Sequence, residues 1–160
     1  YKVRYRTKIQ RKIWCFIMDY LKVLVEEIHS VVVATVDETG HPHTAVMDMM
    51  WEDGKTVYFL TADFKPLYKR LKEDGRVALT GMTQGAGTMD RKSISLTGQV
   101  EWIGKEHLEE LLKANPYMYE IYPTEEGRSH LQVFRFKNAV GNFYYLTQLP
   151  PYQARFEIEG

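Results

Sequence analysis

Apolar positions along the chain follow two periods, and the change between them marks out its elements. Leu21, Leu24, Val25 and Ile28 stand at i, i+3, i+4 and i+7 behind Asp19, which predicts an amphipathic helix capped by Asp19 and ending near His29. From Ser30 the pattern is that of strands: Val31–Asp37, a turn through Glu38-Thr39-Gly40, His43–Trp51, a turn at Glu52-Asp53-Gly54-Lys55, then Thr56–Thr61. Turns this short cannot hold the helical crossover that parallel neighbours need, so these strands form an antiparallel meander and a Rossmann architecture is excluded.

Pro66 at a first helical turn, Leu67 and Leu71 at i, i+4 and Gly75 as C-terminal cap predict a short helix. A strand follows at Arg76–Thr80, then a glycine-containing hairpin loop over Gly81–Asp90. A long strand spans Ser93–Ile103, with Ile94, Leu96, Val100 and Trp102 on one face. Leu108, Leu111 and Leu112 mark a third helix, stopped by Asn115-Pro116, and Leu131–Lys137 with Asn142–Thr147 predict a last hairpin around Gly141. About seven strands with three helices between them define a mainly β (α+β) chain. A closed or nearly closed antiparallel barrel follows, because closure removes exposed strand edges. The predicted organisation is a basic extension at residues 1–17, a domain at 18–148 and a peripheral tail from Leu149-Pro150-Pro151 to residue 160.

Composition narrows the function classes. The chain has 160 residues, 44% of them hydrophobic, enough for one core, and its 21 Lys+Arg balance 21 Asp+Glu. No net field draws it to nucleic acid or anionic lipid. A single cysteine, Cys15, cannot make an internal disulfide or a multi-thiolate metal site, and it points to a reducing, cytoplasmic setting. The longest apolar runs, Ile13–Met18 and Val31–Ala34, are too short to span a bilayer.

The five histidines form no i, i+4 helical pair and no HExxH, so no metal centre is expected. Glu109-Glu110 and Glu125-Glu126 do not face a common substrate and read as solvated surface. No GxSxG elbow is present, and Gly81, Gly85 and Gly87 lie between strands instead of at a strand-to-helix turn. Met47, Met49 and Met50 suit adaptable core packing, with a flat cofactor pocket as the alternative. One segment carries sharper chemistry. At Thr61-Ala62-Asp63-Phe64-Lys65-Pro66 a strand ends in a hydroxyl and a lysine stands at a helix start, where free amides and the helix dipole favour an anion such as phosphate.

The order of segments resembles the pyridoxamine 5′-phosphate oxidase-like, FMN-binding split-barrel family. Val33-Ala34-Thr35-Val36-Asp37, Gly40-His41-Pro42 and His43-Thr44-Ala45-Val46-Met47 are similar to its opening hairpin. Val57-Tyr58-Phe59-Leu60-Thr61, Lys65, Leu71 and Arg76-Val77-Ala78-Leu79 are similar to its phosphate-binding strand and helix, and Ser95–Glu101 to a later core strand. The resemblance covers roughly 18–146 and implies a split β-barrel with short peripheral helices. Through it, Thr61 and Lys65 would hold the FMN phosphate, and His43, Thr44, Ala45 and Val46 would run beside the ribityl chain and the isoalloxazine. Lys92 and Ser93 would lie on a strand approaching the flavin.

The family is usually a homodimer with FMN between subunits, so Phe134-Arg135-Phe136 would help complete the partner's pocket. The oxidase itself carries arginine and lysine on the strand matching His43–Met50, and this chain has neither. The resemblance therefore implies a generic FMN-dependent oxidoreductase acting on a small electron donor and acceptor, with no catalytic residue assigned. The alternatives are a flavin-binding or redox-sensing module without a substrate, and a relative that binds haem or a deazaflavin, with His41 or His43 as haem ligand.

Overall fold

The computed structural model describes residues 20–147 and 149–160. The basic extension, Cys15 and the Asp19 cap lie outside these. The chain enters as a helix that winds into a π-helix, α1 (Val23–Ile28), and ends at His29 with φ 61°. The sheet then forms from β1 (Ser30–Val36), β2 (Pro42–Asp48), β3 (Trp51–Glu52) and β4 (Val57–Ala62), followed by β5 (Arg76–Met82), β6 (Lys92–Gly104), β7 (Leu131–Tyr145) and β8 (Tyr152–Glu159). Helix α2 (Pro66–Glu73) links β4 to β5. The β6–β7 connection holds α3 (Leu108–Ala114), α4 (Met118–Ile121) and α5 (Glu125–Ser129).

All pairings are antiparallel, in the order β2-β1-β5-β6-β7-β4-β3, with β8 also on β7. The two ends of this path, β2 and β3, are consecutive in the chain and separated only by Met49 and Met50. The Met49 N–H donates to His29 O and the Met50 N–H to Tyr58 O, so the backbone changes partner between these two residues. The predicted single strand His43–Trp51 is therefore two strands on opposite edges, and the sheet curls into a split barrel closed through the backbone at Met49-Met50. That changeover replaces the simple meander expected for the first three strands.

Strand β4 is buried on both faces, and its alternation divides the interior. Val57 and Phe59 join the barrel core with Phe134, Phe136, Met47 and Met49. Tyr58, Leu60 and Ala62 face a second cluster beneath α3 and α4, with Met50, Leu111, Leu112, Met118, Leu131 and Val133. Met49 thus serves as core, while Met47 and Met50 pack in the core and also border a cavity.

The expected hairpin around Gly141 is one continuous strand. Strand β6 pairs along it from Lys92↔Tyr145 to Gly104↔Val133, through bulges at Gln99/Val100 and Trp102/Gly104. Gly141 marks no turn: a Cβ there would overlap the Phe156 ring, so the glycine makes room for an aromatic side chain. Nor is the tail peripheral. Strand β8 pairs Tyr152–Glu159 with Asn138–Tyr145 and buries Phe156 and Ile158 in the barrel core. The loop after β5 also carries more structure than expected, with the strand reaching Met82 and a 3-10 turn at Thr88–Asp90.

Candidate functional site

A cavity of about 780 Å³ lies where β2, the end of β4, the start of α2 and the α4 segment meet. Its volume is within the usual range of small-molecule sites. Alternation along β4 sets Thr61 on the side of Phe59, and the chain then turns through Asp63-Phe64-Lys65 so that Pro66 can open α2. Lys65 occupies the N-cap position with no side-chain cap, leaving the helix start to solvent or a ligand.

Thr61 is 4% exposed, lines the cavity and makes no side-chain hydrogen bond among the described residues. A buried hydroxyl without a partner costs about 1–3 kcal/mol, and a ligand acceptor would remove that cost. Two cations face the same space. Lys65 has no ion-pair partner among the described residues. Arg70, one turn along from Pro66, donates through Nε to Thr35 Oγ1 at 2.8 Å and pairs with no carboxylate among them. The floor is apolar: Met47, Met50, Leu60, Leu67 and Met118. A cationic, hydroxyl-bearing end and an apolar floor suit a ligand that is anionic at one end and flat and apolar at the other.

The opposite wall carries titratable groups. His43 Nε2 lies 2.8 Å from Asp37 Oδ2 and donates to that carboxylate. The hydrogen bond from His43, with those from Thr39 and the His41 amide, holds the Asp37 carboxyl well below the usual carboxylate range. Asp48 also lines the cavity. Burial raises its carboxyl, but hydrogen bonds from Ser30 and Tyr117 and the proximity of His29 outweigh this and leave it below its ordinary value. Tyr117 Oη donates to Asp48 Oδ2 at 2.7 Å, and burial followed by that carboxylate pushes the phenol well above its ordinary value.

Of the residues expected from sequence, His43, Ala45, Val46, Thr61 and Lys65 come together around this cavity. Thr44, Lys92 and Ser93 do not. Thr44 is exposed on β2, opposite Ala34, and is not part of the cavity wall. Lys92 and Ser93 begin β6 elsewhere on the barrel, with Lys92 paired to Glu27 at 2.8 Å and Ser93 opposite Tyr144. Phe134 and Phe136 are fully buried in their own core, and Arg135 is paired with Glu101 at 2.6 Å. Sequence reasoning missed Arg70, Asp48 and the α4 wall. For Arg70 the signal was its i, i+4 spacing from Pro66; for the α4 segment, too short to show a helical period, there was none.

A curled antiparallel split barrel with an open cavity at the strand-to-helix junction after β4 defines the structural class of the chain. The chain belongs to the pyridoxamine 5′-phosphate oxidase-like family: the family profile described as pyridoxamine 5′-phosphate oxidase matches residues 17–145. No curated protein matches by sequence. Among solved structures it is similar to a nimC/nimA family protein from Clostridium acetobutylicum, at 19% identity and TM-score 0.73, covering 95% of this chain and 99% of that one. A protein from the same organism related to general stress protein 26, of the pyridoxinephosphate oxidase family, is 22% identical, with TM-score 0.63 and coverage of 91% and 96%. A heme binding protein from Mycobacterium smegmatis is 13% identical, with TM-score 0.64, covering 88% of this chain and 57% of that one. At these identities the likeness is one of fold. Among the described residues no helix is long and apolar enough to cross a membrane.

Proposed function

We propose that this protein binds FMN in the cavity beside α2 and acts as an FMN-dependent oxidoreductase in the cytoplasm, as a homodimer. The observation that carries this reading is the buried Thr61 hydroxyl, without a hydrogen-bond partner among the described residues, beside two cations that lack acidic partners among them, at the uncapped start of α2. Thr61, Lys65 and Arg70 would hold the phosphate, the first by donating a hydrogen bond and the others by charge. His43, Ala45 and Val46 would flank the ribityl chain and the ring along β2. Met47, Met50 and Leu60 give the ring an apolar floor from which water is displaced. When bound, FMN supplies hydride or electron transfer between a small donor and acceptor, and the chain sets access and local charge.

The dimer is supported by β2, an edge strand whose Val46 is 73% exposed although it borders the cavity. A second copy could cover that edge and complete the open side. An absorbance spectrum and a titration of purified protein with FMN test the reading: flavin bands that persist through gel filtration, and reduction of the bound flavin by NAD(P)H, are expected. A wild-type protein that takes up no FMN would remove it.

One observation favours a second ligand. His43 lines the cavity with its Nε2 held by Asp37, and carboxylate support of this kind is common behind metal-ligating histidines. The similarity to a heme binding protein gives this haem reading some support. A Soret band that disappears in His43→Ala would favour it over FMN.

A further inference from the structure

On the far side of the β2–β3 changeover from the main cavity lies a second, more polar groove of about 540 Å³, lined by residues that include Glu26, His29, Met50, Glu52 and Asn115. Met50 borders both spaces, and a continuous chain of hydrogen bonds passes between them. His29 Nδ1 is 3.1 Å from Val25 O, His29 Nε2 is 2.9 Å from Tyr117 Oη, Tyr117 Oη is 2.7 Å from Asp48 Oδ2, and Ser30 Oγ donates to Asp48 Oδ1 at 2.6 Å. His29 Nε2 also lies 3.5 Å from Asp48 Oδ2, an ion-pair contact longer than the two hydrogen bonds through Tyr117. His29 is fixed at the groove end, its φ of 61° held by its own N–H to Leu24 O and by Met49 N–H to its carbonyl.

Counting protons along this chain leaves one too many for a neutral imidazole beside an ionised carboxylate. Val25 O can only accept, so His29 Nδ1 carries a proton. Tyr117 has one proton and two short contacts. If it donates to Asp48, His29 Nε2 must donate to Tyr117 and the ring is a cation. If it donates to His29, Asp48 must be the protonated acid donating to Tyr117. Both arrangements hold the same number of protons and differ only in which end has the extra one. We infer that His29, Tyr117 and Asp48 form a proton relay, storing one transferable proton and passing it from the solvent-open groove to the main cavity. Its use in turnover rests on the flavin reading above.

In the transfer, His29 Nε2–H moves to Tyr117 Oη as the Tyr117 proton moves to Asp48. The ring becomes neutral, the carboxyl becomes an acid, and that acid gives its proton to a basic atom of the ligand or substrate. The carboxylate is then regenerated, and solvent in the groove returns a proton to the ring. No electrons move in these steps. The charged groups facing the relay are Glu26 from α1 and Glu52 from β3 on the groove side, both favouring the ring cation, and His43, Lys65 and Arg70 on the cavity side, the two cations favouring ionised Asp48.

Nitrogen-detected NMR of His29 in the ligand-free chain tests the stored proton directly. With Asp48 ionised, the contacts of both ring nitrogens require each of them to carry a proton. Asp48→Asn should turn the ring to the neutral form protonated at Nδ1, because an amide donates to Tyr117 and frees the phenol to donate to Nε2. A wild-type neutral ring beside an ionised Asp48 overturns the relay, as does a ring still cationic in Asp48→Asn. In the FMN-loaded protein, Tyr117→Phe should slow proton uptake during photoreduction, read with an indicator dye in weak buffer, by about tenfold or more at unchanged FMN affinity. An unchanged uptake rate also overturns it. If the wild-type chain fails to bind FMN, the flavin reading falls while the ring signals still decide the stored proton.

Discussion

Lys65 and Thr61 reach the cavity from the two sides of one strand-to-helix junction, and each makes a separable contribution to an anion there. Replacing Lys65 by alanine should weaken FMN by about 1.5–3 kcal/mol, the range for a hydrogen bond to a charged group, with little change in melting temperature. Thr61→Val keeps the volume and removes the donor, so it should weaken FMN while leaving the apo chain at least as stable, because an unpartnered buried hydroxyl is lost. Calorimetric titration with FMN and thermal melts check both; unaltered affinity would take either residue out of the site. This corner was legible in the sequence because its parts are close in the chain: a hydroxyl at a strand end, a lysine and a proline that fixes the first helical turn. Asp48 and His29 were not, since each is placed beside the cavity or its hydrogen-bond chain only by neighbours far away in sequence, and Arg70 carried only its spacing from Pro66.

Strands β7 and β8 show how an element can be misread from a residue that is there for packing. A glycine amid apolar alternation reads as a turn, yet Gly141 lies in a continuous strand because the Phe156 ring occupies the space of its missing side chain. Gly141→Ala should therefore destabilise the fold by about 1–3 kcal/mol through overpacking, and Phe156→Ala by about 3–5 kcal/mol through a cavity in the barrel core. Urea denaturation of each variant measures this. A Phe156→Ala protein as stable as wild type would show that β8 is not part of the cooperative unit. Strand β6 was foreseen to within a residue at each end, because its alternation is long and regular. The short α4 and α5 were not, since four or five residues cannot display a helical period.

Across the whole molecule, the lowered carboxyls of Asp37, Asp48, Asp53 and Asp74 set the sign of the acid response. A carboxyl lower in the folded state adds stability that is fully present above its unfolded value, about 3.9, and is lost as pH falls through the folded value. The urea midpoint should therefore decline as pH drops below about 4, and Asp37→Asn should flatten that decline. An acid limb unchanged in Asp37→Asn would show that the His43 contact does not persist in solution. Sedimentation of the purified chain should give a dimer, and a charged residue at exposed Val46 should shift it toward monomer. The sequence by itself determined the antiparallel, strand-rich barrel class, most strand positions and the strand-to-helix junction that carries Thr61, Lys65 and Pro66, because side-chain periodicity, turn chemistry and helix-start signals act over a few residues. Only the tertiary structure decided that β2 and β3 lie on opposite edges, that the tail is a core strand, and that His29, Tyr117 and Asp48 are neighbours. Those outcomes depend on which distant strand satisfies each backbone N–H and C=O once the sheet curls, and no local pattern encodes that choice.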